Sequence, residues 1–295
     1  MQILRKAVRK AQSLAQGRTE SVFRSFEAQE ISRATHLNLV PPRQKRGGGL
    51  GTLTYAEYCW TIGLFQPLIY QNLPSRRPGR FLDIGCGVGR LYLATRPYLE
   101  TSDEYIGLDV TENSIRICQD IYKDETAARF VHFDVHNAYY AGSQSSETQP
   151  YPFDADSFDL VTALSVWTHL RESDWRFYLN EVGRILRPEG RAILTFFVVD
   201  PETQHGDRTG TAAMPEYSAP DDRTWTFDTP AYDSQDWLYP AWAAVPEVAI
   251  GVRKPAFEAA LEAAGLKTAA MYPGAWRQKL GLFFQDIVVL EKMKS

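Results

Sequence analysis

Cysteine is scarce in this chain: Cys59, Cys86 and Cys118 are the only three in 295 residues. Their spacings, 27 and 32 residues, match neither a zinc module nor a disulfide framework. So few thiols fit a reduced, cytoplasmic setting. Long hydrophobic runs are missing too. The longest near a predicted strand, "AILTFFVV" at 192–199, is too short to span a bilayer. No apolar segment follows the N-terminal charges, so a secretory leader is not expected. No internal repeat is visible. Acids are absent from the first 18 residues and aromatics before Phe23, so base stacking is not suggested there.

What is present is unevenly charged. Residues 1–46 carry ten Lys/Arg against three Glu, a net of +7, which leaves −11 for the rest of a chain whose total is −4. A basic helical arm over 1–48 is the expectation, with Ile3, Val8, Ala11, Leu14 and Ala15 able to share a face. Its readings include a solvated helix, a transit peptide, a homo-oligomer contact and a nucleic-acid arm. "PPRQKRGGGLG" then reads as a linker.

From about residue 80 a rhythm sets in. Strands are expected at 81–84, 104–110, 129–135, 158–166 and 191–199, with helices between them. The helix after Ser173 has Trp175, Tyr178, Leu179, Val182, Ile185 and Leu186 at helical spacing. Strand and helix in alternation predict a parallel α/β sheet. Residues 200–250 interrupt the pattern with six prolines and an aromatic-rich stretch. We expect a lid there, its Trp225, Trp237 and Trp242 lining a substrate pocket. A helix from Pro255 to Gly265 and two last strands close the chain.

The chemistry concentrates in "FLDIGCGVG". Glycines after a first strand let backbone approach a ligand, and the next helix offers N–H groups to an anion. Gly85 and Gly87 fit a dinucleotide fingerprint, but Arg90 stands where its third glycine belongs. Asp83, ahead of the loop, is a poor neighbour for pyrophosphate and a good acceptor for an ammonium. Cys86 lies inside the loop, where its N–H is the useful group. Asp109, 20 residues after Gly89, ends the second strand, where a carboxylate takes ribose hydroxyls. Asp134 ends the third, where an adenine amino group could donate. Amino acid, ribose and adenine together describe S-adenosyl-L-methionine.

The ordered set "FLDIGCGVG", "YIGLDV", "FVHFDV", "FDLVTALSVWTHL" and "ILRPEG" resembles class I S-adenosylmethionine-dependent methyltransferases over about 50–292. Less specifically, it looks like their bacterial small-molecule or glycan-associated members. The resemblance implies a Rossmann-like seven-stranded, mostly parallel sheet with helices on both faces and the last strand antiparallel. It implies one domain over 49–295. It also draws Val110 and Val135, beside the two strand-end acids, into the cofactor set. Tyr55 would reach over the cofactor from the helix before the sheet, and Ser165 would lie near the methionyl ammonium. His169, past the fourth strand, is the candidate base. No metal is required.

The expected acceptor is a small molecule, most simply a sugar or natural-product hydroxyl. N- or C-methylation stays open. Nucleic-acid methylation using the basic arm is less favoured, because "SVWTHL" stands where an N-P-P-[YF] motif would be.

Overall fold

The computed structural model describes residues 39–46, 55–74, 79–135, 148–200, 225–277 and 281–293. The basic arm before residue 39 and the boundary at 48/49 lie outside them. Helix α1 (Tyr55–Gln71) precedes β1 (Arg80–Ile84), α2 (Arg90–Thr95), β2 (Glu104–Asp109), α3 (Glu112–Ile121), β3 (Ala128–His132) and β4 (Phe158–Ala163). Then come α4 (Glu172–Ile185), β5 (Leu186–Phe196), β6 (Val198–Val199), β7 (Thr229–Pro230), β8 (Trp237–Tyr239) and β9 (Gly251–Arg253). Helix α5 (Lys254–Ala263), β10 (Leu266–Tyr272) and β11 (Asp286–Lys292) complete the fold.

The large sheet has seven strands in the order β10-β11-β5-β4-β1-β2-β3. β1, β2, β3, β4 and β5 run parallel; β11 lies antiparallel between β5 and β10. All six residues of β4 are buried, the pattern of a strand covered on both faces. Alternate residues feed two cores. In β11, Val288 and Leu290 join the face packed by Trp175, Leu179 and Val182 of α4 and Phe257 of α5. Ile287 and Val289 join the other, packed by Tyr58 and Phe65 of α1, Leu91 of α2 and Ile115 of α3. Gly183 of α4 allows the close approach of α5: a Cβ there would meet the Ala264 carbonyl at 2.0 Å.

The insertion departs from expectation. Its described part, 225–250, contributes β7 and β8 to a small sheet ordered β6-β9-β8-β7. The described part is therefore not irregular throughout, and residues 201–224 of the lid expected over 200–250 lie outside the described set. Extended backbone forms because Val198, Val199 and Val252 are β-branched and every ladder group needs a partner.

A buried ion pair ties this sheet to the large one. Asp286 is fully buried at the start of β11. It accepts from Arg277 Nε (2.8 Å) and Nη2 (3.1 Å), from Val198 N–H (2.9 Å) and from Gly274 N–H (2.7 Å). Arg277 also donates to the Val198 carbonyl (2.9 Å) and to Asp200 (3.2 Å). Removing one partner strands a buried charge. Arg277→Met is therefore expected to lower the unfolding free energy by about 3–5 kcal/mol in urea denaturation. A loss below ~1 kcal/mol would show that the pair does not hold the two sheets together.

Candidate active site

In a parallel sheet every strand delivers its following loop to the same edge. Here that edge gathers the glycine loop after β1, Val110 and Thr111 after β2, and the turn 164–170 after β4. Because β11 is antiparallel, the residue before it, Gln285, arrives at the same edge.

The glycine loop is gripped from below. Gly85 and Cys86 both donate N–H to the Leu108 carbonyl (2.7 and 3.0 Å). Gly87 N–H donates to Asp109 Oδ2 (2.8 Å), and Thr111 N–H donates to Asp109 Oδ1 (2.7 Å). Tyr122 and Tyr58 donate their hydroxyls to the Val88 carbonyl (3.0 and 3.4 Å). Gly89 has φ +82°, and a Cβ there would strike the Tyr122 ring at 2.5 Å. Gly85 is closed off in the same way by Val166. Gly87, with φ +52°, has nothing within 4 Å of where its Cβ would be. A side chain is thus barred at Gly85 and Gly89 and has room at Gly87, while the Gly85 backbone is exposed and that of Gly87 half-buried.

Several expected contacts change in this light. The Cys86 N–H is committed to Leu108, so a ligand does not meet it. Asp83 is 1% exposed and turned inward. It accepts from Tyr105 Oη (2.8 Å) and Thr162 Oγ1 (2.9 Å), which hold its side chain beneath the loop. Burial pushes its pKa up to about 7; the Tyr105 and Thr162 hydrogen bonds oppose the rise and the Asp109 charge adds to it. Burial also raises the Asp109 carboxyl, against the Thr111 and Gly87 N–H groups that hold it down.

The other cofactor candidates are placed as follows. Asp134 is exposed two residues beyond β3, and Val135 beside it is buried. The Val110 carbonyl contacts His132 Nε2 (3.1 Å). Tyr55 starts α1 against the second core, with the Arg46 guanidinium 5.8 Å from its ring. The α1 tyrosine on the loop is Tyr58, one turn later. Ser165 adopts φ +59°, a conformation rare for a residue with a side chain. Its N–H donates to Thr195 Oγ1 (2.8 Å) and its hydroxyl to Gln285 Oε1 (3.0 Å); Gln285 Nε2 donates to Thr168 Oγ1 (3.3 Å). Strain held by such a network marks functional edges more often than structural ones.

His169 ends the 3-10 turn Trp167–His169 and is 9% exposed. Its Nδ1 lies 2.7 Å from the Glu247 carbonyl. A carbonyl only accepts, so Nδ1 carries the proton and Nε2 is the basic nitrogen. Burial lowers the imidazole pKa, and the Glu247 bond works against that. Glu247 is held in turn by the Tyr232 hydroxyl, which donates to its carboxylate.

The three tryptophans separate. Trp237 is fully buried in the main core, edge-on to Trp175 at 5.4 Å with the Arg176 guanidinium 4.5 Å from its ring. It does not line a pocket; the β8–β9 pairing drives it inward. Trp225 and Trp242 meet edge-on at 4.8 Å and belong to a satellite aromatic core with Phe197, Phe227, Trp276 and Phe284.

Thr168, Gln285, Tyr58 and Tyr122 were not anticipated. Gln285 had a faint signal, a polar residue at the head of the apolar run "DIVVL". The tyrosines look like core residues in sequence, which they also are. Among the described residues no three or more His, Cys, Asp or Glu are placed to hold a metal.

Residues 82–194 match the family described as a methyltransferase domain. Over 127 residues, 43% of this chain and 44% of the other, the chain is 32% identical to the "Uncharacterized methyltransferase YcgJ" of Bacillus subtilis. It is 29% identical over 199 residues, 63% of this chain, to the "27-O-demethylrifamycin SV methyltransferase" of Amycolatopsis mediterranei, spanning 68% of that protein. The chain spans about half the length of several curated relatives it matches. An S-adenosylmethionine-dependent methyltransferase from Mesorhizobium loti shares the fold, with a TM-score of 0.51, 15% identity, and coverage of 78% of this chain and 98% of that one.

The Asp83 carboxyl leaves a thermodynamic trace. Folded, it keeps its proton to about pH 7; unfolded, it loses it near 3.8. Its contribution to stability is thus complete below the unfolded value and is lost as pH rises toward 7. Asp83→Asn should flatten that fall by an amount on the order of a few kcal/mol, read by urea denaturation at pH 4.5 and 7.5. Parallel curves for variant and wild type would place the carboxyl elsewhere.

Proposed function

Residues 82–194 form a class I S-adenosylmethionine-dependent methyltransferase domain whose cofactor is S-adenosylmethionine; from that premise we propose that the chain methylates a hydroxyl of a small-molecule acceptor. The observation carrying the reading is the loop that is exposed at Gly85, has room where a Cβ would stand at Gly87, and is pinned at Gly87 by Asp109. The open position is a cradle that a Cβ would fill. Asp109 uses one lone pair of each oxygen on backbone N–H groups, and each carboxylate oxygen has another to offer a ribose hydroxyl. These residues fit the cofactor.

In this reading Gly85 and Gly87 hold the amino-acid end, with Asp83 and Ser165 behind and beside it. Cys86 shapes the loop through its side chain. Asp109 and Val110 hold the ribose, and Asp134 and Val135 the adenine. Tyr55 flanks the cleft from α1. When bound, the cofactor supplies a methyl group already activated on a sulfonium. What the chain adds is position and dryness: holding the acceptor oxygen in line contributes an effective molarity of ~10^5 M or more. Trp225 and Trp242 form part of the wall that excludes water.

His169 is the proton acceptor. Its Nδ1–H stays on the Glu247 carbonyl while Nε2 takes the proton of the acceptor hydroxyl. An imidazole held neutral by burial is charged only below the ordinary His range, so it is ready as a base at neutral pH. Matched relatives whose names specify oxygen methylation, the "27-O-demethylrifamycin SV methyltransferase" and the "O-methyltransferase rstn1" of Aspergillus nomiae, support a hydroxyl acceptor.

Transfer of a labelled methyl group from S-adenosylmethionine to a panel of hydroxylated macrolides, quinols and glycosides tests the proposal. With an accepted substrate, kcat/KM is expected to rise with pH through a value below 6.5 and then level off. His169→Gln should lower kcat by about 10^2–10^4-fold and remove that limb, with cofactor affinity unchanged. Full activity in the variant would remove His169 from the chemistry. Labelling confined to amines or to RNA would replace the hydroxyl reading.

A further inference from the structure

The glycine loop covers two thiols for which the proposed chemistry has no use. Cys86 lies in the loop and Cys118 on α3, one element past β2. The two positions are far apart in sequence, and the parallel pairing of β1 with β2 brings them together. Both are buried, Cys86 at 5% and Cys118 at 0% exposure. Cys118 Sγ donates to the Gly87 carbonyl at 3.3 Å, and Cys86 Sγ approaches the same oxygen at 3.7 Å. The two thiols thus converge on one backbone oxygen. Cys59, on α1, is only partly buried.

We propose that Cys86 and Cys118 are a reversible disulfide site that staples the glycine loop to α3, and that bound cofactor opposes its formation. This rests on reading the loop as the cofactor site. The physical link is the Gly87 peptide. Its carbonyl takes both thiols and its N–H is held by Asp109. Joining the sulfurs removes both donors from that carbonyl, and the peptide must shift at the loop glycine that leaves space where a Cβ would stand. A ligand seated on Gly87 holds the thiols apart and covered.

A low-molecular-weight disulfide such as glutathione disulfide is the oxidant class. The Cys86 thiolate attacks one of its sulfurs, releasing one glutathione thiol and leaving a mixed disulfide. The Cys118 thiolate then displaces the second glutathione. The two cysteines lose two electrons, and the two protons end on the released thiols. Burial raises the Cys86 thiol well above its ordinary range, so the closed loop reacts slowly and the exchange proceeds from an opened one.

Coupling between ligand and disulfide is reciprocal. The factor by which oxidation weakens cofactor binding equals the factor by which cofactor shifts the disulfide equilibrium. Full-length protein carrying Cys59→Ser, equilibrated in a glutathione redox buffer with and without S-adenosylhomocysteine, reads both factors. Intact mass and peptide mapping follow the disulfide, and calorimetry follows S-adenosylhomocysteine. The expected result is loss of two hydrogens, with a peptide linking Cys86 to Cys118, and no such product in Cys86→Ser or Cys118→Ser. Oxidised protein should bind S-adenosylhomocysteine roughly tenfold more weakly or worse, with recovery in dithiothreitol and a matching shift in the redox equilibrium. No linked product, or glutathione adducts alone, would overturn the site. A linked product with unchanged binding would overturn its antagonism with cofactor. Failure of the reduced protein to bind S-adenosylhomocysteine would instead strike the cofactor reading, because the mass readout does not depend on binding.

Discussion

The Asp109 carboxylate is the constraint on which the site depends. It ends β2 and reaches sideways to the glycine loop of β1 through Gly87 N–H, while its other oxygen fixes the start of α3 through Thr111 N–H. One buried acid thus sets the distance between two strand-end loops. Without it the half-buried Gly87 N–H would lose its protein partner. The loop's other contacts follow from that placement: Tyr58 and Tyr122 close over Val88, and the space beside Gly87 stays open.

Around this centre the molecule solves a packing problem. A seven-stranded sheet with α1, α2 and α3 on one face and α4 and α5 on the other leaves the ends of β5 and β11 uncovered at the ligand edge. The small sheet of β6, β9, β8 and β7 covers them. Its aromatics fill one another edge to face, as Phe227 does against Trp276 at 5.1 Å. The buried Arg277–Asp286 pair joins the sheets and satisfies two backbone donors that no strand partner reaches.

The alternation of strands and helices was legible because each element carries a simple period. β4 reads as an apolar run and α4 as an apolar stripe; β4 starts where expected and ends at Ala163 rather than 166, and α4 starts at Glu172, with Ser173 inside it rather than at its cap. The strand-end acids were legible because topology alone sends them to one edge. Orientation was not legible. Asp83 and Asp109 look alike in sequence, yet one turns inward to Tyr105 and Thr162 while the other holds the loop. That difference depends on which residues stand opposite on β2 and β4. The strands in the described part of the insertion were not legible for a related reason. Proline-rich, aromatic sequence without a period suggested a lid, but its strands are only two or three residues long and take their order from the larger sheet beside them. Gln285 reaches Ser165 across 120 residues of chain, a distance no local pattern encodes.

The central claim is that the open glycine and the acid beneath it hold S-adenosylmethionine. Calorimetric titration of S-adenosylhomocysteine into wild type and Asp109→Ala, with NAD titrated into wild type alongside, tests it most directly. The account predicts saturable binding of S-adenosylhomocysteine to wild type, none of NAD, and affinity reduced by roughly a hundredfold or more in the variant, the loss of two charge-assisted hydrogen bonds. Equal affinity in the two proteins, or preference for NAD, would contradict it.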